Sequence, residues 1–441
     1  MTMDKVASKN VAPLQLPEPL SVVKVTKQNI AYEGILLPSS TSSLLQLKLS
    51  SGYNISLATQ GCTIEVIAPP AKKAPACKYA PAKKEQILIL HTGGTIASRI
   101  DYDTGAVVAG YEPEDLIKRY PAIKPISTRF LANIQSEMIR FAHYNLMAKT
   151  IAEEIKAGVK AIILTHGTDT MHYTSAALSF MLEHLPIPVI LVGAQRSSDR
   201  PSTDATENIT FAVQFAREAI SLGISGVFIV MHSSMNDGSC YILSGLNARK
   251  MHTSRRDAFL PINTTPFATI TKDGIKFFKP FPPLPTQPLT IKPFNEELKV
   301  GFIKTHPHMH KEELLGLQGF DGIILEGTGL GHAPIDVVDE YTAHNQEIAN
   351  AIKTLIASGT CIAVAPQTIY GRINLNVYSP QRRLRALGVF GHLCDMSPET
   401  AFIKLSWLLS NYPKDQVPML YEQNLRGEIS AHSYPGEYPN G

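Results

Sequence analysis

The chain has 441 residues, 44% of them hydrophobic and 18% charged, so it can bury a sizeable core and should form roughly two or three domains. A formal net charge of +3 is too small to indicate a nucleic-acid-binding surface on this chain alone. The N-terminal residues mix charges with prolines, and no apolar run is long enough to cross a membrane, so we expect a cytoplasmic protein. The five cysteines lack C-x-x-C spacing, which favours reduced thiols and predicts no metal site.

Short runs with strand character, separated by turn residues, occupy residues 19–67. Strands this short and closely spaced need closure to hide their edges, so residues 1–67 are predicted to form a small all-β barrel domain. Residues 68–84, rich in Ala, Pro and Lys, are predicted to be an exposed linker.

From residue 85, apolar strands alternate with helical stretches, a pattern typical of an α/β fold with a parallel sheet. We predict a larger α/β domain at 85–278, a proline-rich linker at 279–297 and a smaller α/β domain at 298–441. In the larger domain the predicted strands are 87–91, 161–165, 188–192 and 226–231, and the predicted helices are 113–119, 145–157, 172–184 and 206–221. In the smaller domain the predicted strands are 299–303, 321–326 and 360–365, and the predicted helices are 335–357 and 397–410.

Two polar segments follow predicted strands of the larger domain: Thr-Gly-Gly-Thr-Ile-Ala at 92–97 and His-Gly-Thr-Asp-Thr at 166–170. Both should leave the carboxyl edge of the sheet, where ligands of open α/β sheets bind. A threonine nucleophile needs a group that takes its proton. Asp169 and a desolvated lysine, for which Lys250 is the candidate, would supply that setting. The alternatives are helix caps for the threonines and a plain surface position for Lys250.

The glycines at 93 and 94 lack the further residues of a phosphate-binding loop, so we favour close approach of a neighbouring hydroxyl to a substrate carbonyl. The two motifs, with Gly-Ala-Gln-Arg at 193–196 and the segment 250–259, resemble the L-asparaginase/glutaminase family from about residue 85 to the end of the sequence. The resemblance implies two-step acyl transfer, with Thr95 as covalent nucleophile and Thr168, Asp169 and Lys250 as a second catalytic set.

The same resemblance implies a catalytic tyrosine, for which Tyr102 is the candidate and Tyr111 the alternative. It also implies substrate binding by Gly94, Ser136 and Glu137, where Glu137 stands in place of the family's glutamine. Glu137 can pair with the α-ammonium of an amino-acid amide. The replacement leaves the choice between asparagine and glutamine open.

Residues 31–38 and 51–55 resemble the N-terminal domain of the GatD family of archaeal glutamyl-tRNA(Gln) amidotransferases. This implies a glutaminase that passes ammonia to a partner subunit of the GatE type, which activates Glu-tRNA(Gln) with ATP and Mg. It further implies a homodimer core within a heterotetramer, with no membrane and no cofactor in this chain. The alternatives are a free-standing cytosolic asparaginase hydrolysing asparagine and, third, an inactive amide-binding regulator.

Three other features are weaker signals. His306, His308 and His310 resemble a metal cluster, but the proline between the first two favours a polar loop. The arginines at 382, 383 and 385 are more typical of a solvated face than of a phosphate site. The segment 327–332 resembles a loop that the family supplies across its dimer, but both asparagines of that loop are missing, so His332 receives no role.

Overall fold

A computed structural model describes residues 16–49, 53–70, 86–94, 98–100, 107–109, 123, 125–197 and 202–433, with backbone only at 98–100 and 107–109. The N-terminal part is an antiparallel sheet with strand order β4-β3-β2-β1-β5. Its strands are β1 (Val22–Lys27), β2 (Ile30–Leu36), β3 (Leu44–Leu49), β4 (Asn54–Ala58) and β5 (Cys62–Ala68). Alternate side chains such as Val23 and Val25 are fully buried in a small core, which is the period-2 pattern of a one-sided sheet.

The larger α/β part contains most of the remaining strands. They are β6 (Ile87–His91), β7 (Ser98–Ile100), β8 (Val107–Ala109), β9 (Ser127–Phe130), β10 (Ala161–Thr165), β11 (Leu182–Glu183), β12 (Pro188–Val192), β13 (Gly226–His232), β14 (Ser239–Ser244), β15 (Ala248–Lys250), β16 (Phe259–Pro261), β17 (Ala268–Thr271), β18 (Gly274–Phe277) and β19 (Thr290–Ile291). Its helices are α1 (Phe141–Lys156), α2 (Met171–Met181) and α3 (Ala205–Leu222).

Eight of these strands form one sheet in the order β18-β17-β14-β13-β12-β10-β6-β9. Five of these strands are parallel to one another: β9, β6, β10, β12 and β13. Helices pack on both faces of the sheet, which confirms the predicted α/β fold. Every residue of β6, β10 and β12 is buried, as expected for a sheet covered on both sides. The sheet continues through antiparallel β14, β17 and β18, which the alternation of apolar runs and helical stretches did not predict.

The smaller α/β part has a parallel sheet of order β20-β21-β22. Its elements are β20 (Val300–Lys304), α4 (Lys311–Leu315), β21 (Gly322–Gly327), α5 (Asn345–Ala357), β22 (Cys361–Pro366), α6 (Ser379–Ala386), α7 (Pro398–Asn411) and α8 (Val417–Tyr421). Among the described residues, no helix is both long and apolar enough to span a membrane.

Some predicted helices differ from the observed ones, and the predicted helix at 113–119 lies outside the described residues. The predicted helix 335–357 begins only at Asn345, because the Asp339 carboxylate caps a short 3-10 turn by accepting from the Thr342 amide at 3.0 Å. The predicted helix 172–184 ends at Met181, since the next two residues form β11 and pair with β19. Within the predicted linker 279–297, Thr290–Ile291 is therefore a strand.

Helix α7 joins the two α/β parts, because it packs on α2 and also on β20 and β21. Its Trp407 stacks on Phe180 of α2 with ring centroids 5.4 Å apart. On the same helix, Lys404 Nζ contacts Glu428 Oε1 at 2.5 Å, and both side chains are fully buried. The ammonium also donates to the carbonyl of Tyr421 at 2.8 Å. Inside the core, Glu428 therefore balances the charge of Lys404, and the Tyr421 carbonyl accepts a further hydrogen bond.

Candidate active site

The two polar segments meet at the carboxyl end of neighbouring strands. β6 and β10 are parallel, with His91 opposite Thr165, so the loops that follow them leave the same edge of the sheet. A Cβ atom on Gly94 would lie 2.4 Å from the backbone nitrogen of Gly167, and Gly94 has a φ of +86°. Glycine is therefore required for this close approach. Thr95 is the next residue of the chain.

Lys250 contacts the side chains of Thr168 and Asp169 in the loop after β10. Its Nζ donates to Thr168 Oγ1 at 3.0 Å and to Asp169 Oδ1 at 2.6 Å. The Lys250 side chain is 8% exposed and that of Asp169 is 66% exposed, so a buried cation is paired with a solvated carboxylate. The structure thus brings together three of the residues predicted as catalytic, although Lys250 is 82 positions from Thr168.

The loop after β12 packs against Thr168 from the other side. A Cβ atom on Gly193 would lie 2.9 Å from Thr168 Cγ2, so the Thr168 methyl group packs directly against the Gly193 backbone. Thr168 Oγ1 donates to Gln195 Oε1 at 3.5 Å. Asp204 holds this loop, since its carboxylate accepts from the backbone nitrogens of Gln195 and Arg196, each at 2.9 Å. The Thr168 rotamer is therefore set by packing and by two polar neighbours.

Ser136 lies beneath the second loop. A Cβ atom on Gly167 would lie 2.8 Å from Ser136 Oγ, and Thr170 Oγ1 donates to the Ser136 carbonyl at 2.6 Å. Ser136 is 3% exposed, whereas Glu137, which follows it in the 3-10 turn Ser136–Met138, is exposed. The structure places Ser136 and Gly94 at the loop junction, with Glu137 at its solvent side.

Two buried histidines hydrogen-bond with groups of the strand ends and loops at this edge. His91 Nδ1 lies 2.6 Å from Thr165 Oγ1, and His166 Nδ1 lies 2.6 Å from the Gly167 carbonyl. His166 Nε2 is also 2.8 Å from Thr174 Oγ1. Burial lowers the pKa of each imidazole to about 4. Both rings are therefore neutral at physiological pH and shape the loops through hydrogen bonds.

Arg249 anchors the strand that carries Lys250 to the smaller α/β part. Its Nε donates to Glu399 Oε1 at 2.9 Å, and its Nη2 contacts the same carboxylate at 2.8 Å. Glu399 lies in the first turn of α7. Burial alone would raise the pKa of Glu399, but the Arg249 guanidinium outweighs it and lowers that pKa. A cavity of about 450 Å³ opens beside this pair and is lined by Lys250 and Asp169.

Several predicted features lie outside the described residues or away from the site. Thr95, Tyr102 and Tyr111 are among the residues that the structure does not describe. The three histidines at 306, 308 and 310 lie between β20 and α4, where His306 Nε2 contacts Glu313 at 2.8 Å. Of the arginines, the one at 383 pairs with Asp336 at 3.0 Å. His332 Nδ1 hydrogen-bonds with the Thr328 carbonyl at 3.1 Å.

Sequence reasoning missed the contacts that brace Thr168 and Lys250. Gln195 belongs to the Gly-Ala-Gln-Arg motif, and its position after a buried strand was a usable signal. Arg249 is adjacent to Lys250, but its partner Glu399 is 150 positions away. No local pattern could have connected those two residues.

Family models match three successive parts of the chain. The model described as "GatD N-terminal domain" matches residues 18–67, "Asparaginase, N-terminal" matches 86–282, and "Glutaminase/Asparaginase C-terminal domain" matches 299–417. The GatD subunit of glutamyl-tRNA(Gln) amidotransferase from Methanococcus maripaludis C6 is 40% identical over 92% of this chain and 97% of its own length. The chain belongs to the GatD family of glutamyl-tRNA(Gln) amidotransferases. The predicted resemblance to GatD is confirmed.

Other members and neighbours agree with this placement. The GatD subunit of Pyrococcus abyssi is 38% identical over 93% of this chain and 94% of its own length. The solved L-asparaginase of Thermococcus kodakarensis has a TM-score of 0.68 and 28% identity, covering 78% of this chain and 99% of that one. L-asparaginase I of Vibrio cholerae gives 0.66 and 26%, covering 79% of this chain and 100% of that one. The asparaginase-like fold is thereby confirmed for a member of the GatD family.

Proposed function

We propose that this chain is the glutamine-hydrolysing subunit of a glutamyl-tRNA(Gln) amidotransferase. The ammonia it releases is used by a partner subunit to convert Glu-tRNA(Gln) to Gln-tRNA(Gln). The observation that carries the proposal is the contact of Lys250 with both Thr168 and Asp169, beside the loop that leads into Thr95. An amine in contact with both a hydroxyl and a carboxylate forms the kind of set that moves protons during amide hydrolysis. The GatD relatives support the amidotransferase role.

In the proposed reaction, Thr95 Oγ attacks the side-chain amide carbon of glutamine to give a tetrahedral intermediate. Its C–N bond then breaks as the nitrogen takes a proton and leaves as ammonia. Water attacks the resulting γ-glutamyl ester, which releases glutamate and restores the Thr95 hydroxyl. Backbone N–H groups near Gly94 and Thr168 are the proposed donors to the oxyanion.

Each remaining residue has a proposed part in this reaction. Lys250 exchanges a proton with the reacting groups through the Thr168 hydroxyl that it contacts, and Asp169 balances its charge. Tyr102, or alternatively Tyr111, assists Thr95. Ser136 and Glu137 bind the amino-acid end of glutamine, because a carboxylate beside the loop junction can pair with an α-ammonium.

The proposal extends to the assembly. The partner is a subunit of the GatE type that binds ATP and Mg, while this chain needs no cofactor of its own. The chain forms a homodimer within a cytoplasmic heterotetramer, and Glu-tRNA(Gln) reaches it through the complex. The small net charge supports this arrangement, since it leaves most tRNA contact to the partner.

The test is ammonia release from glutamine and from asparagine, by the chain alone and with its partner, ATP and Glu-tRNA(Gln). We expect efficient glutamine hydrolysis only in the complete mixture. Thr95→Val and Lys250→Met should each lower that rate by about 100-fold or more. Lys156→Met, a change of an exposed lysine at the end of α1, is the matched control and should leave the rate unchanged.

A second candidate function is a free-standing asparaginase, favoured by the likeness to solved L-asparaginases. It makes a distinct prediction for the same assay. Fast asparagine hydrolysis by the isolated chain, with no gain from the partner and tRNA, would replace the first proposal with this one. Unchanged ammonia release by both Thr95→Val and Lys250→Met would refute both.

A further inference from the structure

Three side chains with metal-ligating atoms converge at the carboxyl end of β13, apart from the Lys250 site. They are Glu207 of α3, His232 at the end of β13 and Asp237 of the following loop. His232 Nε2 lies 3.2 Å from Glu207 Oε2 and 4.0 Å from Asp237 Oδ1, and all three ligand atoms lie within 4.8 Å of one another. Ligands about 2.0–2.2 Å from one Zn²⁺ are at most about 4.4 Å apart, so the two distances from His232 Nε2 fit binding to a single ion.

The hydrogen bonds of Asn208 fix which nitrogen of His232 faces the two carboxylates. Asn208 Nδ2 donates to the Gly193 carbonyl at 3.0 Å and to Asp204 Oδ2 at 3.1 Å, so Asn208 Oδ1 must be an acceptor. His232 Nδ1 lies 2.6 Å from that oxygen and therefore carries a hydrogen. His232 Nε2 is therefore the ring nitrogen that faces Glu207 and Asp237.

The imidazole of His232 meets the two carboxylates from inside the fold. His232 is fully buried, and its Nε2 has no hydrogen-bond partner among the described residues. The charged groups that act on this ring are the carboxylates of Asp204, Glu207 and Asp237 and the guanidinium of Arg256. Three carboxylates and one guanidinium surround the ring, so negative charge is in excess there and a divalent cation would balance it.

Each of the three side chains is also held by a neighbour outside the cluster. Asn208 orients His232, the backbone nitrogen of Gly238 donates to Glu207 Oε2 at 2.8 Å, and Arg256 Nη1 contacts Asp237 Oδ1. The ring and the two carboxylates are thus held in place from outside the cluster. Such support reduces the ordering that an incoming ion would otherwise impose.

We propose that Glu207, His232 and Asp237 form a divalent-cation site, with Zn²⁺ as the metal best suited to one imidazole and two carboxylates. The Asp237 side chain is 71% exposed, which gives the ion an entry path and leaves room for water as a further ligand. The bound ion joins α3, β13 and the loop after β13. Because Asn208 and Asp204 connect His232 to the loop at 193–196, the site lies one hydrogen-bond chain from the loop that packs on Thr168.

The experiment is equilibrium dialysis of the full chain against ZnCl₂, with Co²⁺ absorption as a reporter of coordination by nitrogen and oxygen. We expect one saturable equivalent that Glu207→Gln and Asp237→Asn each weaken by about 10-fold or more. Glu218→Gln, which removes an exposed carboxylate from the same helix, is the matched control and should bind the full equivalent. Both test variants preserve side-chain volume, and circular dichroism verifies their folding.

Thermal unfolding gives a second readout that does not depend on those variants. The unfolding midpoint of the unaltered chain should rise with ZnCl₂ and return with EDTA, because an ion that binds only the folded state stabilises it. The proposal is overturned if no saturable equivalent binds. It is equally overturned if the two test variants bind the same number of ions with the same affinity as the Glu218→Gln control, because the ion would then lie elsewhere.

Discussion

The ion pair between Arg249 and Glu399 offers a sharp test of how the Lys250 strand is held. We consider Glu399→Gln, which keeps the volume of the side chain and removes its charge. The Glu399 side chain is 10% exposed and that of Arg249 is 26% exposed, so the mutant leaves a mostly buried guanidinium without a counter-charge. Removing one partner of a buried pair costs about 3–5 kcal/mol, and the partial exposure of Arg249 and the remaining amide oxygen reduce this to about 2 kcal/mol.

The assay is urea unfolding followed by fluorescence, because the single tryptophan, Trp407, is fully buried on the same helix as Glu399. A double-mutant cycle of Arg249→Met and Glu399→Gln should give a coupling free energy of about 2 kcal/mol. Lys414→Met is the control, since its pair with Asp321 has side chains 53% and 36% exposed and should contribute less than about 1 kcal/mol. A coupling below about 0.5 kcal/mol for Arg249 and Glu399 would refute the reasoning.

The same pair predicts a pH dependence. The pKa of Glu399 in the folded chain lies below its ordinary value of 4.5. Its contribution to stability is therefore fully present above pH 4.5 and is lost as the pH falls through the lower, folded value. The difference in unfolding free energy between the unaltered chain and Glu399→Gln should shrink over that acidic range. A difference that stays constant or grows on acidification would contradict the assigned direction.

Three further predictions concern the loops around the site. Gly94→Ala should abolish ammonia release while the chain still folds, because the new Cβ would lie 2.4 Å from the backbone nitrogen of Gly167. Full activity in the ammonia-release assay would contradict this. Thr168→Val should lower the rate of ammonia release by about 100-fold, because it removes the hydroxyl that Lys250 contacts. It keeps the packed methyl group, so the midpoint of thermal unfolding should change little. An unchanged rate would exclude Thr168 from proton transfer. Burial lowers the pKa of His91, His166 and His172 from 6.5 to about 4. Between these two pH values the unfolded chain binds more protons than the folded chain, so each ring should lower the free energy of unfolding by up to about 1.4 kcal/mol per pH unit on acidification. A urea midpoint that does not fall from pH 6.5 to pH 5 would contradict this.

The parts of the fold that the sequence predicted well are those whose signal is local. β6, β10 and β12 are short apolar runs followed by polar motifs, so both their burial and the position of the site at their carboxyl ends could be predicted. The antiparallel extension of the sheet could not, because β14 mixes buried and half-buried residues and follows a short loop after β13 rather than a helix. Helix ends were missed where a side chain such as Asp339 caps a turn.

The arrangement of the candidate site was predictable where motifs carry it and unpredictable where distant contacts complete it. Thr168 and Asp169 are adjacent, and Lys250 could be proposed because a buried cation suits their chemistry. Glu399 reaches the site only through the packing of α7 across the two α/β parts, which no pattern of residues encodes locally. The proposed divalent-cation site is likewise formed by tertiary contacts, since its three residues lie on α3, on β13 and in the loop after β13.

The fully buried pair of Lys404 and Glu428 has a consequence for the order in which the chain folds during synthesis. Glu428 leaves the ribosome after every described strand and after all of α7. Until then, the Lys404 ammonium lacks its Glu428 counter-charge and favours water, which opposes docking of α7. The same helix carries Glu399, the partner of Arg249. A growing chain therefore completes the support of the Lys250 strand only as its last described residues emerge. A nascent fragment would then hold the loops at 92–94 and 166–170 without the ion pair of Arg249 and Glu399 that positions this strand.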